Sequence, residues 1–116
     1  MEHMQLLIMV LNDVDLLNPL LESLMEKGIR GATILSSTGM ARELAKDEDF
    51  PLFGSLRIWL DPERQESKTI FMALKEKDVP VVKKVVHDVV GDLSKPDTGI
   101  IFTLPILDIE GIGGKA

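Results

Sequence analysis

Two apolar stripes of helical period, set among four short apolar runs, decide most of what this chain can fold into. Leu20, Leu21, Leu24 and Met25 recur at i, i+1, i+4 and i+5, and Val81, Val82, Val85, Val86, Val89 and Val90 repeat that spacing. Each set is one face of an amphipathic helix. The second stripe is built from a residue that prefers strands. Its spacing is helical all the same, and Lys83, Lys84, His87 and Asp88 fill the opposite face, so the period outweighs the propensity.

The stripes come with boundary signals. Asn18 reads as an N-cap with Pro19 at the first helical position, where a missing N–H costs nothing. Gly28 follows as the left-handed residue that ends the helix. Asp78 is the matching cap for a second helix over 79–90, with Pro80 in its first turn and Gly91 closing it. The apolar runs at 6–11, 31–37, 68–74 and 100–104 read as strands. The order is β-α-β-β-α-β, which predicts an α+β, ferredoxin-like sandwich with two helices on one face of an antiparallel four-stranded sheet. The other face stays open unless subunits pack there. A long insertion at about 38–67 separates the second and third strands, with room for one helical turn at 41–45 and a candidate strand at 56–60. Segment 107–112 is a candidate edge strand before a Gly-rich tail.

With 116 residues there is one core to build, so 1–116 is expected to be a single domain. Four Phe, one Trp and no Tyr leave that core to Leu, Ile, Val and Met, and oligomerisation is a usual remedy for a core of this kind. The chain has no cysteine, which excludes disulfides, thiolate metal sites and a Cys nucleophile. The start, Met1-Glu2-His3-Met4, lacks the basic and apolar regions of a signal peptide, and a cytoplasmic location is the expectation. A net charge of −6 argues against nucleic acid as a partner. The apolar run at 6–11 is too short to span a bilayer. His3 and His87 have no neighbours resembling a catalytic motif, so no enzymatic activity is expected.

Local sequence carries a resemblance beyond the element order. Lys27-Gly28-Ile29-Arg30-Gly31-Ala32-Thr33 is similar to the "IGI-x-G-x-T" junction of the P-II nitrogen-regulatory signalling proteins. Gly39-Met40-Ala41-Arg42-Glu43 resembles the "GxGRQ" that opens their long T-loop, and Ile101-Phe102-Thr103-Leu104-Pro105-Ile106 resembles the "IFV-x-PV" of their last core strand. The three stand in the family's order and spacing, and the likeness runs through essentially the whole chain. It implies a homotrimer with nucleotide sites between subunits. It also implies that the insertion docks on a target enzyme or membrane transporter. ATP, ADP or AMP are the candidate ligands, and no residue here requires any of them.

The chain departs from that pattern at the phosphate contacts. Where the family reads "GDGKIF", this chain has Asp97-Thr98-Gly99-Ile100-Ile101-Phe102, with Ile100 in the place of the phosphate-binding Lys. Two family arginines fall on Gly111 and Gly113, and Glu43 replaces the Gln of "GxGRQ". Each lost charged contact is worth roughly 1.5–3 kcal/mol. Without Tyr, the uridylylation known in part of the family has no acceptor here.

The remaining candidates follow from the same comparison. Arg42 is the surviving candidate for an anion contact, against the reading that it pairs locally with Glu43 or Asp47. Thr33, Gly39, Thr98 and Gly99 are candidates to line a nucleotide pocket, against the reading that the two glycines only supply turns. Phe50 and Phe53 are candidates for partner docking. The acidic run Lys46-Asp47-Glu48-Asp49 lacks the spacing of a calcium loop, and no metal site is expected. A CutA-type divalent-cation-tolerance trimer shares the topology and is the alternative. An acylphosphatase-like enzyme would need an early Gly-rich loop with an Arg, which 11–17 does not offer.

Overall fold

The computed structural model describes residues 3–45 and 66–111. Strand β1 (Met4–Leu11) lies at the centre of the sheet, between β3 (Ser67–Lys75) and β4 (Gly99–Pro105). Strand β2 (Thr33–Ser37) pairs on the far side of β3, giving the order β2-β3-β1-β4. Each of the three pairings is antiparallel. Helix α1 (Leu17–Glu26) joins β1 to β2, α2 (Met40–Ala45) follows β2, and α3 (Val79–Val89) joins β3 to β4. This is the ferredoxin-like arrangement expected from the order of stripes and runs.

The core lies between one face of the sheet and the two long helices. Period-2 alternation turns Leu7, Met9 and Leu11 of β1 and Ile70, Met72 and Leu74 of β3 toward the helices. Leu20 and Leu24 from α1 and Val79, Val82, Val85 and Val86 from α3 meet them in one buried cluster. Lys83, Lys84, His87 and Asp88 are exposed, so the Val-rich segment is the amphipathic helix its spacing predicts. Val79 extends the stripe back to the start of α3, while Met25 ends the α1 stripe 58% exposed.

Boundaries differ from the sequence expectation in three places. Asn18 lies inside α1 and does not cap it: the N-cap position is Leu16, without a side-chain bond. A 3-10 turn, Val14–Leu16, leads into α1, and Asp13 caps that turn by accepting from the Asp15 amide at 3.2 Å. Asp78 similarly ends a 3-10 turn, Glu76–Asp78, and occupies the α3 N-cap position without a side-chain bond. The third difference is at the C-terminal end, where residues 107–111 form no strand. The last ladder-like contact there is Ile106, whose amide donates to the Met4 carbonyl at 3.1 Å. Gly28 and Gly91 do end the helices with φ of +84° and +96°. The expected turn at 41–45 is the short helix α2. The candidate strand at 56–60, the run 46–49, Phe50, Phe53, Trp59 and Gly113 lie outside the described residues.

Candidate functional site

The register brings four chain segments to one end of the sheet. Ser37, the last residue of β2, pairs with Ser67, the first of β3. Leu11, the last of β1, pairs with Lys68 on one side and with Gly99, the first of β4, on the other. The two edge strands, β2 and β4, are three strand spacings apart, roughly 14 Å. Helix α2 starts two residues beyond β2 and must reach back across that end of the sheet, because Arg42 meets Asp97 in the loop before β4. The Arg42 Nη2 donates to Asp97 Oδ1 at 2.5 Å, with the two side chains only 7% and 13% exposed. The pair ties together the ends of the two edge strands. The partner is 55 residues away in the chain.

The loop that carries Asp97 is held on both sides. Asp97 adopts φ of +59°, the only left-handed non-glycine residue among those described. Aspartate tolerates this conformation because its short polar side chain bonds locally. The Thr98 carbonyl accepts from the Asn12 amide at 3.1 Å. Its hydroxyl lies 2.9 Å from the Lys95 carbonyl and 3.2 Å from that of Leu93, so the side chain closes its own loop. At Gly99 a Cβ would stand 2.4 Å from the Val10 carbonyl oxygen. Only glycine lets β4 start this close to β1. Upstream, Asp92 accepts from both the Ser94 hydroxyl (2.7 Å) and the Ser94 amide (2.9 Å). The hydroxyl bond first, and the amide bond after it, hold the Asp92 carboxyl below its ordinary value.

Of the candidates from sequence, Gly39, Arg42, Thr98 and Gly99 come to this end of the sheet. Gly39 opens α2 through its carbonyl, which accepts from the Glu43 amide at 3.0 Å. Thr33 does not join them within one chain. It pairs with Phe71 and lies four residues along β2 from Ser37, on the sheet face away from the helices. Ile100, in the position of the expected lysine, is 55% exposed on that same face. Glu43 is exposed on α2 and Gly111 is exposed beyond β4.

Sequence reasoning passed over two features. One is Asp97 itself, which no periodicity marks and which becomes notable only through its contact. The other is a hydroxyl cluster at the base of the insertion. Ser37 Oγ lies 2.7 Å from both Ser67 Oγ and Thr69 Oγ1, and Lys68 Nζ donates to Ser36 Oγ at 2.8 Å. Ser37, Ser67 and Thr69 close one end of the open face, while Ser36 and Lys68 alternate to the helix side. A separate shallow groove of about 170 Å³ lies between α1 and β2, with Leu21, Met25, Ile29 and Ile34 among its walls and Arg30 its one cation. Among the described residues no group of three His, Asp or Glu is placed to hold a metal ion, and no helix is long and apolar enough to cross a membrane.

With this geometry described, the whole chain can be set beside known proteins. Its fold is similar to that of a functionally unknown protein from Pediococcus pentosaceus, with a TM-score of 0.64 at 16% identity over 96% of this chain and 99% of that one. It is equally similar to Arabidopsis thaliana PII bound to citrate, with a TM-score of 0.63 at 16% identity over 96% of this chain and 84% of that one. No family model and no curated protein sequence matches. The chain therefore has a divergent PII-like fold, shown by the path of the backbone and not by sequence identity.

Proposed function

We propose that this chain is a P-II-like regulatory protein that senses a small anionic ligand, with ATP, ADP or AMP as candidates, and controls a partner through its long insertion. The observation that carries this reading is the Arg42–Asp97 ion pair, which fastens the described start of the insertion to the loop before β4. A ligand that engages Arg42, the Thr98–Gly99 backbone or Gly39 therefore touches both ends of that tie. Binding could then select one arrangement of α2 over another. The protein acts by binding and not by catalysis. Phe50 and Phe53 remain the proposed docking residues of the insertion.

The active species is proposed to be a homotrimer built on the open sheet face. Leu35, Ile100, Phe102 and Leu104 are 44% to 55% exposed. Contiguous apolar surface of this kind marks an interaction site. Thr33 lies on that face, so it joins a ligand site only through assembly.

Calorimetric titration with each adenylate, with and without magnesium, tests the reading. Saturable binding at about one site per subunit, weakened about tenfold or more in Arg42→Ala, is the expected result. No heat with any of the three, in a protein confirmed to be folded, would remove adenylates as the ligand.

A further inference from the structure

Asp97 is built into its position. Its backbone is left-handed, Thr98 is bonded to Asn12, and Gly99 is pressed against the Val10 carbonyl, so the carboxylate has little freedom to leave. The guanidinium it meets is 7% exposed and donates to it through Nη2 at 2.5 Å. A guanidinium presents its N–H donors in a fixed plane that suits a carboxylate and a phosphoryl group equally. Two anions competing for that donor also repel each other. The Thr98 hydroxyl does not offset this, since it is turned to the Leu93 and Lys95 carbonyls.

We infer that Asp97 is an intramolecular anion that competes with the phosphoryl group of a ligand for Arg42, so that the Arg42–Asp97 bond and anion binding exclude one another. This inference rests on the reading of Arg42 as the ligand's anion contact. It makes Asp97 a specificity residue. A ligand must displace a tethered carboxylate, which selects against weak or singly charged anions. It also gives the switch a physical basis. The bond joins α2 to the loop before β4, so a ligand that takes Arg42 releases that tie, and the two states differ by a defined contact.

The test compares the wild-type protein with Asp97→Asn, which keeps the shape and removes the charge, and with Asp97→Gly, which suits φ of +59° if the first variant folds poorly. The probes are ATP and inorganic phosphate by calorimetry, with hydrogen exchange of amides 39–45 as the second readout. Asp97→Asn is expected to bind ATP about tenfold or more tightly than wild type, with the gain abolished by adding Arg42→Ala. Exchange in α2 should be faster in the ligand-free variant and in the ATP-loaded wild type than in the free wild type. Equal ATP affinity in the two proteins, still sensitive to Arg42→Ala, would overturn the competition and leave the ligand reading in place. Unchanged α2 exchange in the variant would overturn the tie. No binding of ATP or phosphate by any of the three would overturn the competition and the ligand reading together.

Discussion

The two faces of the sheet are made from similar residues and have opposite fates. On the helix side, Leu7, Met9, Ile70 and Met72 are at most 1% exposed, closed over by α1 and α3. On the other side, Leu6, Ile8 and Val10 are half-buried, while Phe102 and Leu104 remain close to half exposed. Register makes the contrast plain, since Leu7 pairs with Thr103 on one face and Ile8 with Phe102 on the other. Strand β1 is apolar on both faces, a pattern that ordinarily belongs to sheets covered on both sides. One face is thus complete within a chain, and the other has the composition of a core without a cover among the described residues. Exposure is greatest along β4 and at Leu35 of β2, the two edge strands, which are the parts an adjoining subunit would reach first.

The strongest test of the contrast removes volume from the covered face. Leu7→Ala should lower unfolding stability by about 2–5 kcal/mol in urea titrations. Phe102→Ala in dilute protein should cost well under that, and equal, concentration-independent losses would break the distinction between the faces. Gly99→Ala comes next, at about 1–3 kcal/mol, because a methyl group 2.4 Å from the Val10 carbonyl forces β4 away from β1. A variant as stable as wild type would mean that the start of β4 gives way easily. Phe102→Lys should change the monomer's stability little, within about 0.5 kcal/mol. Its effect should appear in mass: light scattering should show wild type as a trimer and the variant as a smaller species. A wild type that runs as a monomer at all concentrations sinks the assembly reading.

The smallest effect lies in the loop behind the covered face. The Asp92 carboxyl is held below its ordinary value, chiefly by the Ser94 hydroxyl and next by the Ser94 amide. A depressed carboxylate adds stability above its unfolded value and loses it as pH falls through the folded value, so the loss belongs to the acid side of the ordinary aspartate range. Ser94→Ala should move the Asp92 titration upward, followed by NMR of its carboxyl carbon. An unmoved titration would assign the depression to the backbone amide and nearby charges.

Much of this architecture was legible in sequence because it repeats at short range. The i, i+4 recurrence in the Val segment specified α3 against the strand preference of its residues, and Gly28 and Gly91 marked ends that only a left-handed residue could make. Caps were less legible: Asn18 and Asp78 have suitable side chains, but 3-10 turns at 14–16 and 76–78 move the helix starts past the positions where those side chains would act. The candidate site was half legible. Arg42, Thr98 and Gly99 were marked by local resemblance, and two of the four segments at that end of the sheet carried a candidate. Thr33 was grouped with them by the same resemblance, although within a chain the register sets it apart.

Sequence alone therefore determined the elements, their order and the apolar character of both sheet faces, since each follows from periods of two and 3.6 residues. Tertiary structure decided which apolar face the helices cover and which partner Arg42 takes. The second choice depends on α2 crossing the end of the sheet and on Asp97 being left-handed, and a contact spanning 55 residues leaves no periodic trace in the chain.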